Sequence, residues 1–223
     1  MAIILNIETT TTNCSVSLSQ DGETLVLKEN NDSGFSHAEK LHVFIKDIFE
    51  LAKIGAKDID AISISKGPGS YTGLRIGVST AKGLCYSLDK PLISISTLLS
   101  LAHQINVKEK ELIVPMLDAR RMEVYSAIYN PDFSIYREIE AQIIDKFSFS
   151  SLLESYKLYF IGSGAEKMKS IINHPNAVFI DNKYPSASTM GFIANKKFKI
   201  SAFENLAYFE PYYLKDFVAI KAK

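Results

Sequence analysis

Residues 66–77 of this 223-residue chain read KGPGSYTGLRIG and join a β-rich run to a helical one. Ala61-Ile62-Ser63-Ile64-Ser65 precedes them, and the helical pattern continues to Leu88. Gly67, Gly69 and Gly73 fall in the turn, with Gly77 one helical turn further on. Glycine is tolerated where φ must be positive or where a second backbone comes close. A strand–turn–helix junction can also hold an anion on its first unpaired N–H groups. The spacing fits neither common phosphate fingerprint. A P-loop needs Gly-Lys followed by Ser or Thr, and a dinucleotide loop has its glycines one residue closer. The residues therefore support a tight turn feeding a closely packed helix.

That helix, expected over 71–88, has three distinct faces. Leu74, Val78, Ala81, Cys85 and Leu88 recur at the spacing of one buried face. Gly73, Gly77 and Ala81 form a stripe without bulk, which would let a second helix axis approach closely. Thr72, Ile76, Ser79, Gly83 and Tyr86 form a third, uncharged face. A helix built this way is expected to meet a second helix or another subunit. Leucine at position 73 or 77 is then expected to abolish docking while the fold is retained.

Hydrophobic residues make up 47% of the chain and charged ones 22%, as in ordinary globular proteins. At this length roughly 70% of the unfolded surface can be buried, enough for one large or two small cores. Lys plus Arg equals Asp plus Glu at 25 each, so no overall field draws the chain to nucleic acid or membrane. Lys196, Lys197 and Lys199, with Lys215, Lys221 and Lys223, form the nearest thing to a basic cluster, which reads as solvated surface. Cys14 and Cys85 lie in apolar stretches and read as reduced, buried thiols. No signal-peptide pattern opens the sequence, and no run approaches the ~20 apolar residues of a membrane helix. A cytoplasmic location is the expectation.

The same structural order occurs twice. In the first half, strands are expected at 2–7, 14–20 and 23–30, with Asp21-Gly22 as the hairpin turn. A helix over 36–53 follows, with Ser36 as N-cap and Glu39 at the capping-box position. Strand 61–65, helix 71–88, strand 91–95 and helix 97–105 complete the half. In the second half, strands are expected at 112–117, 123–129 and 133–139, then helix 147–155, strand 158–161, helix 165–172, strand 177–180 and helix 188–197. The fold class is therefore α/β, with two tandem ribonuclease-H-like units, 1–105 and 106–223, the second reduced. This is the architecture of the actin, sugar-kinase and Hsp70 superfamily, in which nucleotide lies between the units.

That architecture singles out Glu8 and Asp118, which end the first strand of each unit. Equivalent acids in nucleotide-using members manage Mg²⁺ and attacking water. The loop after Glu8 is Thr9-Thr10-Thr11-Thr12-Asn13, with no glycine to admit a phosphate to the backbone. Thr9 and Thr10 could offer hydroxyls to a nucleotide, and Thr equally suits a tight, half-buried turn.

Several stretches together resemble the TsaB (formerly YeaZ) family. They are ILNIETT and NCSVSL near the start, GPGSYTGLRIG at 67–77 and STLLSLA from Ser96 onward, then LDARRMEVY at 117–125, IGSGA at 161–165, YPSA at 184–187 and EPYYLK at 210–215. Glu8 stands where the family usually has Asp, and Arg121-Met122 where it often has Met-Gly.

The resemblance implies a non-catalytic, activating partner in threonylcarbamoyladenosine (t6A) synthesis on tRNA. The catalytic relative, TsaD, transfers threonylcarbamoyl to N6 of adenosine 37 in tRNAs that read ANN codons, and holds a metal with a His-x-x-x-His pair and an Asp. Such a pair places two imidazoles on one helix face. Here His37 and His42 are five residues apart, and the matching stretch Leu98–His103 offers one candidate ligand. His37, His42, His103 and His174 each read as surface or cap positions, with no metal site and no catalytic residue expected.

The resemblance also implies that the first two helices form a bundle with the same helices of TsaD. The partner-facing residues are then Leu41, Phe44, Ile45 and Ile48 of the first helix. From the second they are Thr72, Gly73, Ile76, Gly77, Ser79, Gly83 and Tyr86. A homodimer is expected when the chain is alone, and a P-loop ATPase, TsaE, is expected as a third component. No cofactor is expected to bind tightly, ADP or ATP would lie at the junction with TsaD and TsaE, and tRNA would be met only through the complex. The competing class is a small-molecule kinase or phosphohydrolase using Glu8 and Asp118 with Mg²⁺. A metallopeptidase would need the missing His pair. A bare RNA-binding module is opposed by the charge balance.

Overall fold

The structure is a computed structural model that describes residues 1–31 and 37–215. Its first half runs β1 (Ile3–Glu8), β2 (Cys14–Gln20), β3 (Glu23–Asn30), α1 (His37–Ala52), β4 (Ala61–Gly67), α2 (Tyr71–Leu88), β5 (Leu92–Ser96) and α3 (Thr97–Ala102). The second half runs β6 (Glu111–Asp118), β7 (Glu123–Tyr129), β8 (Ile135–Ile143), α4 (Ser150–Ser155), β9 (Lys157–Ile161), α5 (Ala165–Met168), β10 (Ala177–Ile180) and α6 (Met190–Lys199).

The strands form two five-stranded sheets with the same topology. The first is ordered β3-β2-β1-β4-β5; the second, read in the same sense, is β8-β7-β6-β9-β10. In each, the first strand pairs antiparallel with the second and parallel with the strand that follows the first helix. The fold is thus two ribonuclease-H-like sheets in tandem, as the element order predicts.

Central β1 is buried along nearly its whole length because both its faces are covered, and its apolar residues are interrupted by Asn6 and ended by Glu8. Leu5 and Ile7 join one core with Leu41, Ile45 and Ile48 of α1 and Val78 and Ala81 of α2. Ile4 points to the other face, where Ile93, Ile95 and α6 residues Met190, Ile193 and Ala194 close a second core. The alternating serines of β2 are buried as well. Asn6 Nδ2 donates to Ser17 Oγ (3.1 Å) and Ser19 Oγ (3.0 Å), and Ser63 Oγ donates to Asn6 Oδ1 (2.7 Å). Polar residues on this face are tolerated because they bond to one another, as buried polar groups must.

Two helices leave the half to which their place in the chain assigns them. α3 packs on β6 and β7 as well as on β4 and β5, and α6 packs on the first sheet. Leu98 and Leu101 of α3 therefore share a core with Ile113, Leu117 and Ile161 of the second sheet. Each sheet carries a helix supplied by the other half.

Several boundaries differ from expectation. α3 stops at Ala102 rather than 105, with Ser96 Oγ accepting from Leu99 N at its start (3.4 Å). α4 begins at Ser150, not 147, because Phe149 has a positive φ of 65°. α5 is a single turn, and α6 starts two residues late. β8 extends to Ile143, beyond the expected 139. The Ser36 cap lies outside the described residues, as do Lys221 and Lys223. No helix among the described residues is long and apolar enough to cross a membrane.

Candidate functional site

The β1–β2 loop and the start of α2 are locked together. Thr9 Oγ1 donates to Gly73 O (2.8 Å), and Ser70 N donates to Thr10 O (2.7 Å). Cβ atoms at Gly69 and Gly73 would stand 2.5 Å from Thr10 O and 2.0 Å from Thr9 O. One at Gly77 would stand 2.2 Å from Thr9 Oγ1. Gly73 and Gly77 are buried against their own chain, so the stripe without bulk does not face a partner. Close approach is the reason for glycine here, but the approaching group is the chain's own loop.

The same packing seals Glu8. Its side chain is fully buried at the end of β1, and Oε1 accepts from Thr10 N (2.6 Å) and Thr10 Oγ1 (2.5 Å). Oε2 is buried without a hydrogen bond of normal geometry. Ser65 interacts with the carboxyl, while its hydroxyl lies 2.8 Å from Thr97 Oγ1. Burial raises the Glu8 pKa above the ordinary carboxylate value, and bonds from Ser65, Thr10 and Thr9 oppose that rise only in part.

Asp118 has a different environment. It is exposed, forms an ion pair with Lys167, and accepts from Arg120 N on Oδ1 (2.6 Å). Its own N–H donates to Ser163 Oγ (3.1 Å). Glu8 and Asp118 share no hydrogen-bond partner, and Thr9 and Thr10 are buried with Glu8. The residues expected to line one nucleotide cleft are thus split between a closed network and an exposed ion pair. Among the described residues no group of three His, Cys, Asp or Glu side chains converges as metal ligands would.

His37 is not a surface residue. It is buried, and its Nε2 donates to Thr11 O (2.7 Å), which ties the start of α1 to the β1–β2 loop. His103 Nδ1 likewise donates to Leu99 O (2.9 Å), and its ring stacks on Phe133 at 3.8 Å.

The helical pair α1 and α2 divides its residues differently from expectation. Leu41, Ile45 and Ile48 belong to the core under α1, and Phe44 and Ile76 are partly buried against it. None of the three buried residues can reach a partner without opening that core. Thr72, Ser79, Gly83 and Tyr86 are exposed, Tyr86 by 83%, and nothing lies within 4 Å of a Cβ built on Gly83. Val43 and Leu51 of α1 are also exposed, at 53% and 59%. Side-chain direction decides this: residues three and four apart share a face, so the buried α1 face and its exposed flank interleave along the sequence.

A C-terminal strap covers the edge of α2. Tyr212 N donates to Lys66 O (2.7 Å), Lys82 Nζ donates to Ala207 O (3.2 Å) and Phe209 O (3.0 Å), and Tyr213 stacks on Tyr71 at 4.2 Å. Lys215 then pairs with Glu123 of β7, so one segment ties both sheets. Sequence reasoning did not find this strap, which has no periodicity to reveal it.

Comparison with known proteins agrees with this architecture. A family model described as TsaD, tRNA N6-adenosine threonylcarbamoyltransferase, matches residues 32–223. Two proteins named tRNA threonylcarbamoyladenosine biosynthesis protein TsaB align end to end with the chain. That of Haemophilus influenzae is 30% identical over 98% of this chain and 95% of its own length. That of Escherichia coli is 30% identical over 98% and 96%. The chain belongs to the TsaB family. The solved structure of YeaZ from Pseudomonas aeruginosa superimposes with a TM-score of 0.83 at 22% identity, covering 96% of this chain and all of that one. That structure therefore shares the two-sheet fold described above.

Proposed function

We propose that the chain takes part in t6A synthesis as a non-catalytic, activating subunit. It acts by docking on a catalytic TsaD-type protein, which transfers threonylcarbamoyl to N6 of adenosine 37 in ANN-decoding tRNAs. The observation that carries this reading is the exposed, uncharged face of α2 formed by Ser79, Gly83 and Tyr86, with Val43 and Leu51 of α1 also exposed. These residues are uncharged, and Gly83 leaves open space for a partner side chain or backbone. Aromatic anchors such as an exposed Tyr often dominate interface energetics. An interface of standard size would bury roughly 1,600 Å² in total.

Alone, the same flank pairs two copies symmetrically; with the partner present it forms a one-to-one heterodimer. A TsaE-type ATPase joins that pair, with ADP or ATP held at the junction. tRNA is met through the complex, which is cytoplasmic. A kinase or phosphohydrolase reading is the weaker one. It requires Glu8 to meet solvent and substrate, and Glu8 has 0% exposure beneath Thr10.

Light scattering on a sizing column tests the proposal, with the chain alone and mixed with a TsaD-type protein from the same organism. A one-to-one complex that Gly83→Arg abolishes is expected. A complex that forms equally well with Gly83→Arg would place the interface elsewhere, and no complex at micromolar concentration would remove the docking role.

A further inference from the structure

Away from the docking flank and from Glu8, a cleft of about 400 Å³ opens between the end of β3 and the segment that leads into α6. Every residue that lines it is polar, among them Asn13, Glu29, Asn31, Asn182, Lys183 and Tyr184. Its floor is a built network. Glu29 Oε2 accepts from Ser186 Oγ (2.7 Å), Ser15 Oγ (3.1 Å) and Asn13 Nδ2 (3.3 Å), and Asn13 also donates to Pro185 O (2.9 Å). Those donors hold one carboxylate oxygen and set its orientation, which leaves Oε1 for an incoming group. Asn13 is 4% exposed, and its Oδ1 has no hydrogen-bond partner.

Lys183 stands on the opposing segment, half-buried, and no ion pair among the described residues engages it. The side chains of Asn182 and Tyr184 beside it take part in none of the hydrogen bonds of the described residues, although the Tyr184 carbonyl accepts from Gln104 Nε2 (2.6 Å). The Glu29 Oε1 oxygen, the Lys183 ammonium group, the Asn182 amide and the Tyr184 phenol thus line one cleft with bonding capacity unused among the described residues. Such groups recognise a ligand that carries both charges. The polar residues that line it suit a small polar body.

We infer that this cleft binds a free α-amino acid with a short polar side chain, its ammonium on Glu29 and its carboxylate on Lys183. Tyr184 and Ser186 line one side of the cleft, which shares no residue with the proposed docking flank. Binding therefore stands or falls independently of the docking role.

Calorimetric titration of the full chain with L-threonine and L-asparagine provides the test. L-threoninamide, which lacks the carboxylate, and N-acetyl-L-threonine, which lacks the ammonium, serve as charge-deleted probes. Saturable one-to-one binding of at least one free amino acid is expected. Each deleted charge should weaken it at least about tenfold, the scale of one charged hydrogen bond. Glu29→Gln keeps an acceptor for Ser186 and Ser15 while removing the charge, and Lys183→Ala alters a half-buried side chain; each should weaken binding about as much. No saturable heat at millimolar concentration from either amino acid would overturn the inference. So would binding that tolerates both charge-deleted probes. The two probes settle the question even if a variant fails to fold.

Discussion

The carbonyl oxygen of Thr9 lies 2.0 Å from the point at which a Cβ on Gly73 would stand, while the Thr9 hydroxyl donates to the Gly73 carbonyl at 2.8 Å. The two residues hold the β1–β2 loop onto the first turn of α2 from both sides. That contact closes the Glu8 loop and withdraws the glycine stripe from any role at the surface.

Gly73→Ala should destabilise the fold by about 3 kcal/mol, because the obstructing atoms are backbone and cannot rotate away. Gly83→Ala should do the reverse and stabilise by about 1 kcal/mol, the helix-propensity gain at an uncrowded position. Urea unfolding of both variants checks this opposite pair. The leucine substitution at 73 or 77 that sequence alone suggested is for the same reason a test of folding, not of docking.

Tyr86→Ala should leave the unfolding midpoint within about 0.5 kcal/mol of wild type, since the ring is 83% exposed. Docking on a TsaD-type protein should weaken by about 2 kcal/mol, the loss expected at an aromatic anchor. Affinity measured by calorimetry decides it, and an unchanged dissociation constant would take Tyr86 out of the interface.

Glu8→Gln should change how stability depends on pH. The folded-state pKa of Glu8 is raised, so the folded chain binds this proton more tightly than the unfolded chain. Its contribution is complete below the ordinary carboxylate pKa and is lost as pH rises toward the folded value. The variant should therefore match wild type at low pH and exceed it at neutral pH, with the gap opening as pH rises. Subtracting the two curves cancels buried His37, whose lowered pKa works in the opposite direction. A gap that closes with rising pH would contradict a raised folded-state pKa for Glu8.

Cys14 and Cys85 should resist thiol reagents in the native state at pH 8. Burial pushes their pKa values to about 11 and about 12, so the thiolate fraction is negligible and the sulfurs are out of reach. Both should react promptly once urea unfolds the chain. Rapid labelling of either native thiol would show that its core opens locally.

Much of the fold was legible because the chain writes its sheets in local code. Ile3–Ile7 is apolar except for Asn6, as suits a strand covered on both faces, and Asp21-Gly22 turns the hairpin that follows. The second half was read in the right order with looser ends. Its α4 and α5 are one or two turns long, and packing rather than periodicity decides where each stops. In the candidate site, the uncharged outer face of α2 was found by its spacing. Leu41, Ile45 and Ile48 were assigned to a partner because an apolar arc looks the same whether a sheet or another protein covers it.

Sequence alone determined the duplicated strand order, the tight turn at 66–77 and the positions of Glu8 and Asp118, since each rests on neighbours a few residues apart. Only the tertiary structure decided what covers what. Thr9 meets Gly73 across 64 residues, Asn13 meets Pro185 across 172, and α6 lies on the first sheet. Such contacts depend on chain reversal and on the packing of whole faces. No local pattern states which of two apolar or small faces will be buried by the chain itself and which will be left for a partner.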